Sequence, residues 1–167
     1  MKTIAQQLKV KDFPFEIRDK NNNKIYHEYS DGFWYKQEYD SNNNRIYREY
    51  SDGFWYKQEY DSNNNQIYFE DSSGYWAKRE YDKNNNLIYF ENSDGYWEKQ
   101  EYNSNNNLIY WETSDGEWAK REFDKNNNEI YYENSDGLIT DKRPKSTPEY
   151  TMEELTKMIG KEFKIKK

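Results

Sequence analysis

The chain has 167 residues, of which 34% are charged and only 33% hydrophobic, and a formal net charge of −7. Such polarity excludes a conventional compact core and by itself suggests disorder. The 19% aromatic content argues instead for an ordered, thin structure, because Tyr and Trp bury large areas while keeping a polar tip in water. No apolar run reaches membrane-spanning length and no leader-like stretch follows Met1, so a cytoplasmic protein without a membrane span is expected.

Residues 1–12 form a helical cap by this reading, since Thr3 with Gln6 makes a capping-box pattern and Ile4 and Leu8 lie one turn apart. Residues 13–141 are a repeat domain. Trp34, Trp55, Trp76, Trp97 and Trp118 recur every 21 residues without an insertion, and Ile25, Ile46, Ile67, Ile88, Ile109 and Ile130 keep the same step. A period of this size describes a quasi-linear array in which each unit contacts its neighbours. Within each unit, Gly32 to Asp40 and Arg45 to Tyr50 alternate with the period of strands. The fold class is therefore all-β, a β-hairpin repeat forming an extended antiparallel meander of about 13 strands, roughly 55 to 60 Å long at ~4.8 Å per strand.

Parity assigns the loops, because a slip of one residue sends every side chain to the other face. A three-residue loop Ser51–Gly53, with Gly53 in the left-handed region, pairs Tyr50 with Phe54, Glu49 with Trp55 and Tyr47 with Lys57. A four-residue loop Ser41–Asn44 pairs Lys36 with Glu49 and Glu38 with Tyr47. One face then carries a structural ladder. Its rows are Trp34, Trp55, Trp76, Trp97 and Trp118; Lys36, Lys57, Lys78, Lys99 and Lys120; and Glu49, Glu70, Glu91 and Glu112. The opposite face carries Phe33, Tyr35, Gln37, Tyr39, Ile46, Arg48, Tyr50 and their repeats. One of its columns varies, running His27, Arg48, Phe69, Phe90, Trp111 and Tyr132. With Tyr75, Tyr96 and the isoleucines, its later half reads as a contiguous aromatic strip. Phe69, Tyr75, Phe90, Tyr96, Trp111 and Tyr132 are the candidate interface, since such patches tend to mark binding surfaces; His27 reads as a variable surface position.

Past the repeats, residues 142–149 form a polar, proline-containing linker and residues 150–167 a second helical cap. Thr151 with Glu154 opens its helix, Met152, Leu155 and Ile159 supply its apolar side, and Gly160 closes it. Phe163 and Ile165 alternate in a tail suited to pairing with a sheet edge.

Glu38-Tyr39-Asp40-Ser41-Asn42-Asn43-Asn44 and its copies resemble the YD repeat of the rearrangement-hotspot family, a Tyr-Asp pair ahead of a Gly-containing hairpin. Asn103 and Phe123 depart from the pair. Asn22, Asn43, Asn64, Asn85, Asn106 and Asn127 stand where that pattern places Gly, and Asn is the side chain that best tolerates the left-handed conformation. The resemblance implies the hairpin chemistry. Large family members build shells around toxin domains, for which this chain is too short. Gly53-Phe54-Trp55-Tyr56 is more distantly similar to choline- and glucan-binding repeats, in which neighbouring hairpins supply aromatic walls to a ligand.

No catalytic constellation is visible. His27 is the single histidine and cysteine is absent, which leaves no zinc set or His-assisted nucleophile. Asp40-x-Asn42-x-Asn44 matches the first half of a calcium loop, but Arg45 and Ser51 occupy the positions that need Gly and a bidentate Glu. A non-enzymatic binding module without cofactor or metal is expected, engaging a protein partner, with homo-oligomers also open. The charge opposes nucleic-acid and anionic-membrane binding and suits a basic partner. One version is an acidic inhibitor, of phage or mobile-element counter-defence type, of a nucleic-acid-handling protein. Glycan binding by the aromatic rows and a self-assembling structural sheet are the alternatives.

Overall fold

The computed structural model describes residues 2–145 and 150–160. A short helix α1 (Ile4–Leu8) is followed by β1 (Phe15–Arg18), β2 (Lys24–Glu28), β3 (Trp34–Tyr39), β4 (Arg45–Tyr50), β5 (Trp55–Tyr60), β6 (Gln66–Asp71) and β7 (Trp76–Tyr81). The chain continues through β8 (Leu87–Asn92), β9 (Trp97–Tyr102), β10 (Leu108–Thr113), β11 (Trp118–Phe123), β12 (Glu129–Asn134), β13 (Ile139–Asp141) and a second helix, α2 (Met152–Ile159). The thirteen strands form one antiparallel sheet in sequence order. No helix among the described residues is long and apolar enough to cross a membrane.

Most of the expected register is present. Tyr47 pairs with Lys57 and Glu49 with Trp55, while Lys36 pairs with Glu49 and Glu38 with Tyr47. Gly53 takes φ +91°, and its N–H donates to Tyr50 O at 3.0 Å to close the three-residue loop. The Asn turn differs from the four-residue loop expected. Asn43 takes φ +65° and its N–H donates to Asp40 O, while Asp40 N–H donates to Asn44 O. This is the same three-residue geometry, Asn43 standing in for glycine. Asp40 holds it shut, for its Oδ1 accepts from the Asn42 and Asn44 amides at 2.8 and 2.9 Å, and its Oδ2 from Asn44 Nδ2 at 3.0 Å.

The residue released by the shorter loop becomes a β-bulge. Tyr39 pairs with Arg45 and Glu38 with Tyr47, leaving Ile46 unpaired, and corresponding shifts occur in the other Asn-turn hairpins. Loop and bulge cancel in parity, which is why the outer pairs keep their register. Local facing changes, however. The isoleucines leave the second face, and Ile25, Ile88 and Ile109 line hollows beside Tyr26, Tyr89 and Tyr110 of the ladder. Arg45 takes the other side, with Nη1 donating to Gln37 Oε1 at 3.1 Å and its guanidinium over the Tyr56 ring.

The sheet is a single layer with almost no sealed core. Ala5, Tyr26, Ala77 and Ala119 are the buried hydrophobics among the described residues, so cohesion comes from neighbouring strands and turns. Ser51, Ser72, Ser93, Ser114 and Ser135 amides donate to the carbonyls of Trp34, Trp55, Trp76, Trp97 and Trp118 at 2.9 to 3.0 Å. Along the other rim the left-handed asparagines form a ladder: Asn44 Nδ2 donates to Asn64 Oδ1, and Asn65 Nδ2 to Asn85 Oδ1, each at 2.8 Å.

At the N-terminal end the capping box of Thr3 and Gln6 is formed. Helix α1 docks on the ladder face through Ala5 and Glu28, and Leu8 is left 63% exposed instead of facing the sheet beside Ile4. Glu28 is 1% exposed; it accepts from Thr3 Oγ1, from Ala5 N–H at 3.1 Å and from Tyr26 OH at 2.7 Å. Burial alone would raise its carboxyl pKa, but the donated hydrogen bonds outweigh it and hold the group below the usual range. At the other end Thr151 and Glu154 form their box and Gly160 closes α2 with φ +73°. Helix α2 buries none of its residues. Phe163 and Ile165, and linker residues 146–149, lie outside the described residues.

Candidate interaction surface

The ladder face satisfies part of its own charge. Lys36 Nζ meets Glu49 at 2.7 Å, Lys78 meets Glu91 at 3.2 Å and Lys99 meets Glu112 at 3.4 Å. Lys57 lies opposite Glu70 and Lys120 opposite Glu133. The ammoniums of Lys57, Lys78 and Lys99 each sit 5.0 Å from the ring centre of Trp55, Trp76 and Trp97. Tyr47, Tyr89 and Tyr110 hydroxyls donate to Glu49, Glu91 and Glu112. Trp118 pairs with Glu112 across β10 and β11. Lys36, then Tyr47, lowers the Glu49 pKa; burial, then the Glu49 carboxylate, pushes the Tyr47 phenol up to about 12.

The second face is open and varied. All six candidate interface residues lie on it and all are half-buried. Phe69 packs with Tyr75 and Phe90 with Tyr96, both at 6.1 Å between ring centres. Trp111 and Tyr132 do not extend this contact; Trp111 lies between Gln100 and Ala119, and Tyr132 between Arg121 and Thr140. The strip expected in the later half is thus two aromatic pairs and two separate rings.

Continuous aromatic contact lies in the earlier half. Tyr29, Phe33, Tyr50 and Phe54 form an unbroken chain with 6.0 to 6.1 Å between centres, and Tyr29, Phe33 and Phe54 are 37 to 44% exposed. His27, expected at the surface, is instead buried at 5% exposure. Its ring stacks on Tyr35 at 5.1 Å and abuts Tyr29 at 4.3 Å, and Nδ1 lies 3.0 Å from Glu16. Its neighbours are large rings, so the position is enclosed from within one layer.

Charges without an ion pair are clustered toward two regions of this face. Arg18 and Lys24 are both paired to Glu16. Arg48 has its guanidinium 4.0 Å from the Tyr35 ring centre and 4.7 Å from that of Tyr50. Among the described residues, neither Arg45 nor Arg48 has a carboxylate partner. Toward the other end stand Glu98 and Glu117, likewise without an ion pair among the described residues. Tyr96 lies close enough to both that its phenol pKa is raised, first by burial and then by the charges of Glu98, Asp115 and Glu117.

No protein-family model matches the chain. No curated protein is similar to it in sequence. Solved structures do match. The crystal structure of TcdB2-TccC3-Cdc42 superposes with a TM-score of 0.52 at 13% identity, over 71% of this chain and 7% of that one. The crystal structure of TcdB2-TccC3-TEV gives 0.53 at 11% identity, over 79% and 8%. The chain spans less than a tenth of the length of these proteins. The likeness is one of fold, a YD-repeat-like β-hairpin sheet.

Proposed function

We propose that the chain is a non-catalytic repeat module that binds a protein through the second face of its sheet. The supporting observation is the contrast between faces: the ladder repeats the same residues from unit to unit and pairs Lys36, Lys78 and Lys99 with its own glutamates, whereas the second face varies, stays half-exposed and carries Arg45, Arg48, Glu98 and Glu117 without an ion pair among the described residues. Interfaces favour this mixture of aromatic and arginine side chains around an open layer. An acidic inhibitor of a basic, nucleic-acid-handling protein draws less support, because lysines are interleaved with the ladder carboxylates and pair with Glu49, Glu91 and Glu112. The glycan reading needs open indole faces, and lysines lie over Trp55, Trp76 and Trp97.

The test is affinity capture from source-cell lysate at low and high salt, with Phe90→Ala/Trp111→Ala as control. The expected result is a stoichiometric protein that binds the parent chain and is lost in the double variant. Equal retention by both would remove the second face from consideration.

A further inference from the structure

The face assigned above to protein binding is self-complementary. Of its cations without an ion pair, Arg45 and Arg48 sit on β4 and Arg79 on β7. Of its carboxylates without an ion pair, Asp71 is held in its own turn by Ser73, whereas Glu98 and Glu117 belong to β9 and to the turn entering β11. At ~4.8 Å per strand the Arg45–Arg48 and Glu98–Glu117 clusters are about 24 to 34 Å apart. Between them, centred on β7, Phe69, Ala77 and Phe90 supply apolar surface, with Tyr75 and Tyr96 packed on the two phenylalanines. Ala77 is 1% exposed, a small residue at the middle that pairs with Phe69 on β6 and Asn92 on β8, while Phe90 of β8 pairs with Arg79, two residues further along β7. The one unpaired cation near the centre, Arg79, donates to Gln66 at 2.9 Å and lies over the Phe90 ring.

We infer that the partner of this face is a second copy of the chain, stacked face to face and reversed along the sheet. This rests on the protein-binding reading and names its occupant. A two-fold axis near β7 sets Arg45 and Arg48 of one copy against the Glu98–Glu117 end of the other, twice, and places the Phe69 and Phe90 flanks against each other. Isologous contacts require such a surface, in which the patch is its own complement. Size fits as well. Thirteen strands of about 20 Å make a face with a footprint of roughly 1,200 Å², against about 800 Å² per partner in a standard interface. Stacking also supplies the missing layer, since a sheet buries its apolar face against a second element. Nothing among the described residues of the same chain covers it.

The experiment measures mass by light scattering across a dilution series of the parent chain up to about 100 µM. Two charge-reversed variants are run alongside, Arg45→Glu/Arg48→Glu and Glu98→Arg/Glu117→Arg, with circular dichroism to confirm the sheet. The expected result is a dimer whose dissociation constant rises about tenfold or more in each variant alone, since like charges are then juxtaposed. Mixing the two variants restores a dimer of one copy of each, because reversed partners are again complementary. The glutamate variant gives an independent reading if loss of Arg48 from between its tyrosines unfolds the other. A parent chain that stays monomeric overturns the inference, as does a dimer indifferent to both reversals. In those cases the Phe90→Ala/Trp111→Ala capture still decides the protein-binding reading separately.

Discussion

At the residue scale the structure depends on asparagine doing two jobs. Asn64 has φ +66° and accepts the Asn44 amide across the repeat boundary. Asn64→Gly keeps the backbone and loses the acceptor; Asn64→Ala loses both. The alanine variant is expected to be less stable than the glycine variant by about 1 to 2 kcal/mol, the cost of a left-handed L-residue, as measured by urea unfolding. The turn aspartates give a pH signature. Asp19, Asp40, Asp61, Asp82 and Asp124 all have lowered pKa values. Desolvation opposes the shift at Asp19 and Asp40 but loses to the turn hydrogen bonds, and the Asn side-chain amide leads at Asp61, Asp82 and Asp124. Folded values below the unfolded ~3.9 mean that this stability is complete above about pH 4 and is lost as pH falls through the folded values. Thermal midpoints should therefore hold steady from neutral pH to about 5 and drop below about 4. Replacing all five by Asn should make that drop shallower. Asn103 already makes the turn with a neutral side chain, accepting from the Asn105 and Asn107 amides at 2.9 and 3.0 Å.

At the element scale, the hairpin was legible in its outline and not in its detail. Strand count, the Gly53 loop and the Lys36–Glu49 pairing follow from parity, which constrains only the sum of loop length and bulge. A four-residue loop without a bulge and a three-residue loop with one satisfy it equally. The triple use of the Asp40 carboxylate selects the second. The facing of Ile46 and Arg45 turned on this point, and with Arg45 went half of the basic cluster on the second face. The signal was present in the sequence as Asp four residues before Asn, a pattern that repeats in five of the six Asn turns. The bulge makes a sharp prediction. Deleting Ile46 removes an unpaired residue and leaves Tyr39 opposite Arg45 and Glu38 opposite Tyr47, so the sheet should form with both faces intact. Deleting Arg48 inverts the end of β4 relative to β5. Amide hydrogen exchange should show protected β4 and β5 amides in the first variant and loss of protection around β4 in the second. Helix α1 offers a second case. Its capping box was readable, but its docking on Glu28 was not, because the pairing runs across 25 residues between Thr3 and Glu28. Glu28→Ala strands three donors and should cost on the order of 2 to 3 kcal/mol, visible as early exchange of the α1 amides.

At the scale of the whole molecule, a sheet of thirteen strands with three buried hydrophobic side chains among its described residues, Tyr26, Ala77 and Ala119, has no centre on which its folding could depend. Each hairpin is held by its two neighbours through the Trp carbonyl bonds, the Asn ladder and the cross-strand rows, so stability should be close to a sum of unit and interface terms. Excising residues 54–74 joins Gly53 to Tyr75 in the phase of the repeat and removes one unit without disturbing either end. The shortened chain is expected to fold with an unchanged sheet spectrum and a modestly lower midpoint, whereas a globular protein of this length would not survive losing an eighth of its residues from the middle. Excision also tests the interaction surface. It takes away Phe69 and shortens the separation between the Arg45–Arg48 and Glu98–Glu117 clusters by two strands, or about 10 Å. Two shortened copies remain complementary to each other, but a shortened and a full-length copy do not match in register. Mixed dimers should thus be strongly under-represented relative to the two like pairs in native mass spectra. A statistical mixture would mean that the charges at the two ends of the face do not set which surfaces meet.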